Sequence, residues 1–180
     1  MDTEQHLIEA IKSGNHTAMH QFYERFASRV MAVALRYMGS RDDALDVVQD
    51  AFVKMLTSVE RFDYRGEGSL AAWVVRVVSN TAVTALRSRN MLVNLSEAAD
   101  LPDEPDPPPQ RVPPDVLTRL IGTLPAGYRT VLNLYVFEQY SHQQIANMLG
   151  IKAETSSSQL TRARRLLARR IKEYLNNHHL

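Results

Sequence analysis

The segment from Glu154 to Arg170, ETSSSQLTRARRLLARR, places small hydroxyl side chains directly before a run of arginines. Leu160, Ala163 and Leu167 recur at steps of three and four residues, a spacing that predicts a helix with one apolar face. Serine and threonine hydroxyls hydrogen-bond to base edges or phosphates, and arginines pair with phosphates. The segment therefore indicates a helix that a negatively charged partner approaches closely, and DNA fits that description.

A second, shorter helix is predicted just before it, in SHQQIANMLG, and Gly150 provides the tight turn between the two. This arrangement is typical of a helix-turn-helix, whose second helix lays its N-terminal residues in the major groove of DNA. The apolar residues spaced to hold the two helices together are Ile145, Leu149, Ile151 and Leu160. The residues predicted to face the DNA are Thr155, Ser157, Ser158, Thr161 and Arg162.

Local charge supports this interpretation, although the chain as a whole is nearly neutral. The 180 residues carry a formal net charge of +1, from 21 basic and 20 acidic side chains. Between Lys152 and Glu173, however, seven basic residues stand against two acidic ones, a local net charge of +5. Such side chains contact phosphates and make binding sensitive to salt. The alternative is a solvated basic face on an ordinary bundle helix, which the turn and the serine cluster disfavour.

The N-terminal half contains a candidate protein-binding stripe on its third predicted helix, SRDDALDVVQDAFVKMLTSVERF, for which Ser40 is a plausible N-cap. The residues assigned to its buried face are Leu45, Val48, Phe52, Met55, Val59 and Phe62. The polar residues left on other faces are Asp43, Asp46, Gln49, Asp50 and Lys54. On spacing alone, this stripe is more typical of solvated surface than of a binding face.

The next segment, FDYRGEGSLAAW, joins a glycine-rich loop to aromatic rings and an arginine. Aromatic side chains beside cations suit stacking on unpaired bases, which contributes about 1–3 kcal/mol per base. The helix after the loop carries four polar residues within reach of a nucleic-acid strand: Arg76, Asn80, Arg87 and Arg89. Trp73 is flanked by apolar residues, and we assign it to the core.

The elements that must position these residues read as helices throughout, so the predicted fold class is all-α. The Val- and Thr-rich stretch LAAWVVRVVSNTAVTALRSR has a strand as its rival assignment, but its 20 residues are too many for a strand and contain neither glycine nor proline. No strand is convincing elsewhere, and no internal repeat is visible.

Proline divides the chain into two domains. Seven of the eight prolines lie between Pro102 and Pro114, together with three acidic residues. Because proline lacks a backbone donor and restrains the residue before it, this stretch is predicted to be an extended acidic linker. At about 3.1 Å per residue it spans roughly 40 Å. We predict an N-terminal domain at residues 1–90, a linker at 91–114 and a C-terminal helix-turn-helix domain at 115–180.

Several function classes are disfavoured. The absence of cysteine excludes disulfides, thiolate zinc sites and cysteine nucleophiles. The six histidines show no metal-ligand spacing, and no glycine-rich phosphate loop or nucleophile elbow is visible, so we predict no enzyme, no metal or cofactor and no small-molecule substrate. The N-terminus does not resemble a signal peptide. The sequence contains no run of about 18 uncharged apolar residues, so we expect no membrane insertion. We expect a soluble intracellular protein.

Two further functional classes are a one-component regulator and an interaction scaffold. A one-component regulator would use the N-terminal half to sense a ligand, and would bind duplex DNA alone, usually as a dimer. An interaction scaffold would have no use for a strongly basic helix.

Taken together, these segments resemble the extracytoplasmic-function (ECF) sigma factors, the small two-domain branch of the sigma-70 family. DDALDVVQDAFVKML resembles the helix that docks on the clamp helices of RNA polymerase. FDYRGEGSLAAWVVRVVSN resembles the segment that melts and reads the −10 element. LPAGYRTVLNLYVFEQYSHQQIANMLGIKAETSSSQLTRARRLL resembles the domain that binds the −35 element. Each motif alone is weak, but three in this order around a linker are highly specific.

The resemblance implies roles residue by residue. The polymerase-binding residues would be Asp46, Gln49, Asp50 and Lys54. The −10 DNA-binding residues would be Tyr64, Arg65, Ser69, Arg76, Asn80 and Arg87, with one flipped base captured in a pocket. The −35 DNA-binding residues would be Thr155, Ser157, Ser158, Thr161 and Arg162, supported on phosphate by Arg164 and Arg165.

The implied partners are core RNA polymerase, promoter DNA and an anti-sigma factor, in the bacterial cytoplasm and without membrane insertion or a cofactor. The linker would thread the polymerase interior towards the RNA exit path. The chain departs from the family at Thr84, where Asp is frequent, and near Ser157 and Gln159, where many members carry Lys or Arg. The triple serine therefore implies a −35 sequence different from that of arginine-bearing relatives.

Overall fold

The computed structural model describes residues 3–89, 91–92 and 112–177, and every regular element within those ranges is helical. The helices are α1 (Thr3–Lys12), α2 (His16–Met38), α3 (Arg41–Ser58), α4 (Ser69–Ser88), α5 (Pro114–Gly122), α6 (Ala126–Leu132), α7 (His142–Leu149) and α8 (Ala153–Asn177). A 3-10 turn at Val59–Arg61 follows α3, and a π-helical turn at Asn133–Phe137 follows α6. The all-α prediction is confirmed. The extended acidic linker falls largely on residues 93–111, outside the described ranges.

Local sequence fixes where the helices of the N-terminal domain begin and end. Asn15 caps α2 by accepting from the backbone N–H of Ala18 at 3.0 Å. Gly39 ends α2 because it adopts φ +76°, a left-handed conformation that glycine tolerates best. The predicted cap of α3 is confirmed, since the Ser40 hydroxyl accepts from the backbone N–H of Asp43 at 3.3 Å. The chain therefore reverses sharply between α2 and α3.

The N-terminal core is formed where α2, α3 and α4 pack together, beneath α1. The predicted apolar face of α3 is largely correct, but Leu45 is 38% exposed and its assignment to the core was wrong. The small residues Ala44 and Ala51 are fully buried and let α3 approach its neighbours closely along the face that also carries Val47. That close approach leaves Leu45 at the edge of the interface.

Helix α4 is long and apolar enough to cross a lipid bilayer, as judged by length and composition alone. In the structure it packs against both α2 and α3, and Leu70, Val74, Val78 and Ala82 are completely buried there. Its apolar character is therefore that of a core helix.

The C-terminal domain contains the predicted helix-turn-helix. Helix α7 begins with a capping box, in which the Ser141 hydroxyl accepts from the backbone N–H of Gln144 and the Gln144 side chain accepts from that of Ser141. Gly150 at φ +69° makes the turn into α8. Of the four residues expected to hold these helices together, Ile145 and Leu160 are buried, and Leu149 and Ile151 are half-buried.

Candidate protein and nucleic-acid interfaces

The polar stripe on α3 forms an exposed face, which we call the acidic face and define by Asp46, Gln49 and Asp50. Val53 lies four residues after Gln49 and three after Asp50, so it shares their side of the helix. It is 62% exposed, more than any other large apolar residue that the structure describes. An apolar side chain with polar neighbours has the arrangement of an anchor residue in a protein–protein interface. Sequence analysis did not identify Val53 as a candidate binding residue, although its spacing from Gln49 and Asp50 already placed it on the polar face.

Two residues near this face have partners within the chain. Lys54 donates from Nζ to the Thr81 hydroxyl on α4 at 3.4 Å, so it points towards α4. Arg89, just after α4, pairs with Asp43 and reaches Asp46 at 3.2 Å. The hydrogen bond from Ser40, followed by the Arg89 guanidinium, holds the pKa of Asp43 below its ordinary value. The structure thus ties the end of α4 to the beginning of the acidic face.

The glycine-rich loop before α4 is closed by its own hydrogen bonds. The Ser69 hydroxyl donates to the Gly66 carbonyl at 2.7 Å and accepts from the backbone N–H of Arg65 at 3.2 Å. A second support comes from α1, where Glu4 is buried and accepts from the backbone N–H of Gly68 at 3.3 Å. Arg25 pairs with Glu4 at 2.5 Å. Sequence reasoning missed Glu4, because it lies 64 residues from its loop partner.

A cavity of about 400 Å³ opens beside this loop, and we call it the base pocket. Arg65, Ser69 and Arg76 line it, together with Arg61 and Trp73. The Trp73 ring packs against the ring of Phe62, with centroids 4.9 Å apart. Trp73 therefore touches the core as expected, and it also presents an aromatic surface to the pocket. An aromatic wall beside several guanidinium groups suits an unstacked base and its phosphate.

The six residues predicted to bind the −10 strand are not all in one place. Arg65, Ser69 and Arg76 meet at the base pocket. Asn80 is exposed one helical turn after Arg76. Tyr64 is half-buried and packs against the core. Arg87 donates from Nη1 to the Met148 carbonyl of α7 at 2.9 Å, so it contacts the C-terminal domain.

The first turns of α8 present the predicted reading residues as a group. Ser157, Ser158 and Thr161 are exposed, and Arg162 is half-buried beside them; these four define the reading face. The Ser158 hydroxyl donates to the Thr155 carbonyl at 3.0 Å, and the Thr161 hydroxyl to the Ser157 carbonyl at 3.2 Å. Each hydroxyl keeps acceptor capacity for a donor on a base edge. Thr155 itself is half-buried.

The arginines that follow are suited to phosphate contacts. Arg164 is exposed, and its guanidinium carbon lies 5.9 Å from the centre of the Tyr135 ring. Arg165 is half-buried. Further along, Arg169 pairs with Glu173 one turn later at 3.2 Å. The predicted order of hydroxyls first and arginines afterwards is therefore preserved along one helix.

The two domains are joined by a contact surface, the domain interface, centred on Arg129 of α6. Arg129 is 5% exposed and donates to the carbonyls of Tyr37 at 2.6 Å and Met38 at 3.0 Å, at the end of α2. It also donates to the Gly122 and Leu124 carbonyls within its own domain. The last carbonyls of a helix lack intrahelical partners and carry partial negative charge, so a cation satisfies them well.

Further contacts surround Arg129. Asn133 donates from Nδ2 to the Arg36 carbonyl at 2.8 Å. Arg36 in turn pairs with Glu138 at 3.3 Å and lies 4.1 Å from the centre of the Phe137 ring. Burial raises the pKa of Glu138 above its ordinary value, although Arg36 opposes the change.

Backbones also meet at the domain interface. A side chain added at Gly122 would place its Cβ 3.3 Å from the Cα of Gly39. A cavity of about 540 Å³ lies alongside, lined by Arg29 and Arg76 from the first domain and by Phe137 and Gln144 from the second. Arg76 and Arg87, both predicted to bind DNA, thus face the C-terminal domain.

Among the described residues, no group of three or more His, Asp or Glu side chains is placed to hold a metal ion. The chemistry that these surfaces offer is binding: carboxylates and an apolar residue on α3, a pocket beside α4, and hydroxyls with arginines on α8.

Comparison with known proteins gives two family matches in the order of the two domains. The family described as Sigma-70 region 2 matches residues 22–91, and Sigma-70, region 4, matches residues 115–167. The chain is 29% identical to the ECF RNA polymerase sigma-E factor of Haemophilus influenzae, over 94% of this chain and 95% of that protein. It is 25% identical to the ECF RNA polymerase sigma-E factor of Escherichia coli, over 94% of each.

The fold is similar to that of CnrH, solved in complex with the cytosolic domain of CnrY. The TM-score is 0.51 at 24% identity, over 96% of this chain and 99% of CnrH. The likeness supports the two-domain helical fold described above.

Proposed function

We infer that the chain, which belongs to the sigma-70 family, is an ECF sigma factor that binds core RNA polymerase and directs it to specific promoters. The observation that carries this conclusion is the ordered pair of family matches, region 2 followed by region 4, on a chain that its ECF relatives align with almost from end to end. Sigma factors initiate transcription by binding and act in the cytoplasm with RNA polymerase.

The finer division of labour is our proposal. We propose a region 2 domain at residues 1–90, a linker at 91–114 and a region 4 domain at 115–180. Within the first domain, the acidic face of α3 meets core polymerase, and Val53 adds an apolar contact at its centre. Lys54 flanks this surface from the α4 side. The exposure of these side chains and their shared helix face support the assignment.

The base pocket holds one unpaired base of the −10 element. Stacking on Trp73 and phosphate contacts from Arg65 and Arg76 would stabilise the separated strand, while Asn80 contacts the strand one turn further along α4. Because an unstacked base gains about 1–3 kcal/mol from an aromatic platform, strand opening is favoured without ATP.

The reading face of α8 contacts the −35 element in the major groove. Ser157 and Ser158 read base edges at close range, and Arg162 adds a charged contact. Arg164 and Arg165 neutralise phosphates, so this part of the affinity falls as salt rises. The exposure of the hydroxyls at the beginning of α8 supports this assignment.

The closed domain interface gives the free protein a form in which part of the −10 surface is occupied. Arg87 is engaged with Met148, and Arg76 faces the second domain. We propose that the domains separate when promoter DNA binds, and that an anti-sigma factor holds the closed form. The fold relative CnrH was solved with a protein partner, the cytosolic domain of CnrY, which makes a protein partner reasonable here.

Run-off transcription tests the proposal. The protein is combined with bacterial core polymerase and the promoter upstream of its own gene, alongside Asp50→Arg and Arg162→Ala. We expect transcripts of defined start only with core enzyme and the wild-type protein. Asp50→Arg should lose core binding, whereas Arg162→Ala should keep core binding and lose promoter use. Tight binding to duplex DNA alone, with no binding to core enzyme, would instead establish a one-component regulator.

A further inference from the structure

Ser156, the first residue of the triple serine, is turned inward, unlike the two serines that follow it. Ser157 and Ser158 are exposed, whereas Ser156 is completely buried. Its hydroxyl shares a hydrogen bond of 2.9 Å with Nδ1 of His142, the first residue of α7. We propose that His142 is a positioning residue, which sets the orientation in which α8 presents its reading face to the promoter. This inference rests on the proposed function, because it assumes that α8 reads DNA.

The imidazole of His142 is held from two sides. Its backbone lies in the capped first turn of α7, fixed by the reciprocal bonds between Ser141 and Gln144. Its ring stacks on that of Tyr135, with centroids 4.5 Å apart and an angle of 18° between the planes. Since both supports belong to the scaffold before α8, the ring is a fixed point to which the beginning of α8 is tied.

The position of the bond along α8 is what makes it informative. Ser156 is the first fully buried residue of the helix, and the large apolar contact at Leu160 comes a full turn later. Apolar burial is non-directional, whereas a hydrogen bond weakens steeply away from its preferred geometry. The bond to His142 therefore fixes the rotation of the turn that carries Ser157 and Ser158.

The fold itself does not depend on this bond. A serine hydroxyl within a helix has an alternative acceptor in the carbonyl four residues earlier, here that of Lys152. Thr161 uses the equivalent bond to Ser157. Without His142, the Ser156 hydroxyl would still have a partner, so we expect the orientation of α8 to suffer more than the stability of the domain.

Tyr135 also links His142 to a residue proposed to contact phosphate. The Arg164 guanidinium carbon lies 5.9 Å from the centre of the same ring on which His142 stacks. His142 and Arg164 therefore both contact the Tyr135 ring. The same ring thus helps to position the turn that reads bases and the arginine that contacts phosphate.

The test compares binding to two duplexes by the full chain in complex with core polymerase. One duplex carries the promoter upstream of its own gene, and the other has its −35 element replaced. The variants are Ser156→Ala, His142→Phe, which retains the stacking, and the double variant. His142→Asn offers an amide near the position of Nδ1. Gln143→Ala changes the exposed neighbouring residue on α7 and is the matched control.

We expect each single variant to lower the ratio of specific to non-specific affinity by about three- to tenfold, the usual effect of one hydrogen bond. The double variant should be no worse than either single variant, because both remove the same bond. His142→Asn should recover part of the ratio, and Gln143→Ala should retain it. Non-specific affinity should be unchanged in every variant. The melting temperature of Ser156→Ala should be unchanged or higher, because alanine favours helix.

Two results would overturn the inference while leaving the sigma-factor assignment intact. One is an unchanged affinity ratio in Ser156→Ala and His142→Phe. The other is a ratio that falls only in step with melting temperature, with His142→Asn no better than His142→Phe, which would make His142 merely structural. If the wild-type complex itself showed no preference between the duplexes, the proposed −35 function would fail, and this inference with it.

Discussion

On α3 the side chains proposed to meet polymerase include carboxylates, an amide and Val53, whereas on α8 those proposed to read base edges are short hydroxyls and one arginine. Carboxylates act over several ångströms and tolerate small changes of orientation. A hydroxyl acts only within hydrogen-bond distance, so its helix must be placed accurately. The acidic face needs little support from its surroundings, while the reading face depends on the contacts that hold α8.

The strongest test of this comparison is Val53→Asp. We expect affinity for core polymerase to fall by about 100-fold, the scale of a central interface residue, because a charge replaces an apolar contact. Folding stability should be nearly unchanged, since Val53 is 62% exposed. Titration with labelled core enzyme measures the effect, and Val53→Thr, which retains the branched shape, is the control. A loss of less than about threefold would remove Val53 from the interface.

The domain interface lies between the domain that carries the acidic face and the domain that carries the reading face. Gly122→Ala tests whether this interface is closed in solution. The added Cβ meets Gly39 across the interface, and such overpacking costs about 1–3 kcal/mol, so the ratio of closed to open forms should fall about tenfold or more. The chain has no cysteine, so a pair of dyes on His20→Cys and Asn176→Cys reports the separation. Arg119→Ala, on the same helix, should leave the dye distance unaltered. Identical distances in both variants would mean that the interface absorbs the methyl group.

Two variants on α8 should distinguish base-specific contacts from phosphate contacts. Ser158→Ala removes a base-reading hydroxyl, and we expect specific affinity to fall by about three- to tenfold with no change in salt dependence. Arg164→Ala removes a phosphate contact and should lower the slope of log affinity against log salt by about 1 for all sequences. Measurements at several salt concentrations distinguish the two. Equal salt slopes in both variants would contradict the phosphate role of Arg164.

A smaller effect is expected from pH, through Glu138 at the domain interface. Burial raises the pKa of Glu138 in the folded protein, so the folded form binds its proton more tightly than the unfolded chain does. The contribution to stability is therefore complete below the ordinary glutamate pKa and is lost as pH rises through the raised value. Urea unfolding across that range should show the decline, and Glu138→Gln should flatten it. A decline that is unaltered in Glu138→Gln belongs to another group.

The smallest effect is expected at Arg89, which pairs with Asp43 and Asp46 beside the acidic face. Arg89→Ala frees Asp46 for polymerase, but exposed ion pairs are weak. Affinity for core enzyme should rise by less than about threefold, mainly at low salt. Arg61→Ala, an exposed arginine at the loop end of the domain, serves as the control. A large loss of core affinity in Arg89→Ala would show instead that Arg89 itself contacts polymerase.

Much of the fold follows from local sequence signals. Apolar periodicity, the cap at Ser40 and the turn at Gly150 predicted the helices and the helix-turn-helix, and the reading face was identified as a group. Periodicity places a helix face only approximately, which is why Leu45 was assigned to the core and Val53 was missed. Contacts across long sequence separations leave no local pattern. Arg87 was assigned to DNA, and nothing in the sequence pairs it with Met148, 61 residues away.

The sequence likewise contained no indication that Arg129 is the centre of the domain interface. In the sequence it is one arginine within an apolar helix, and its acceptors on α2 are 91 and 92 residues away. A charged residue in such a segment signals burial or function, but only the folded chain identifies the carbonyls that satisfy it.

The way in which Arg129 holds α2 bears on how this molecule tolerates mutation. Its acceptors there are main-chain carbonyls of Tyr37 and Met38, and every amino acid carries a main-chain carbonyl. Replacing either side chain would leave both acceptors in place, provided that α2 still ends at Gly39. Substitutions at the end of α2 therefore leave the hydrogen bonds between the domains intact. Arg129 donates those bonds from its side chain, so its own replacement would remove them.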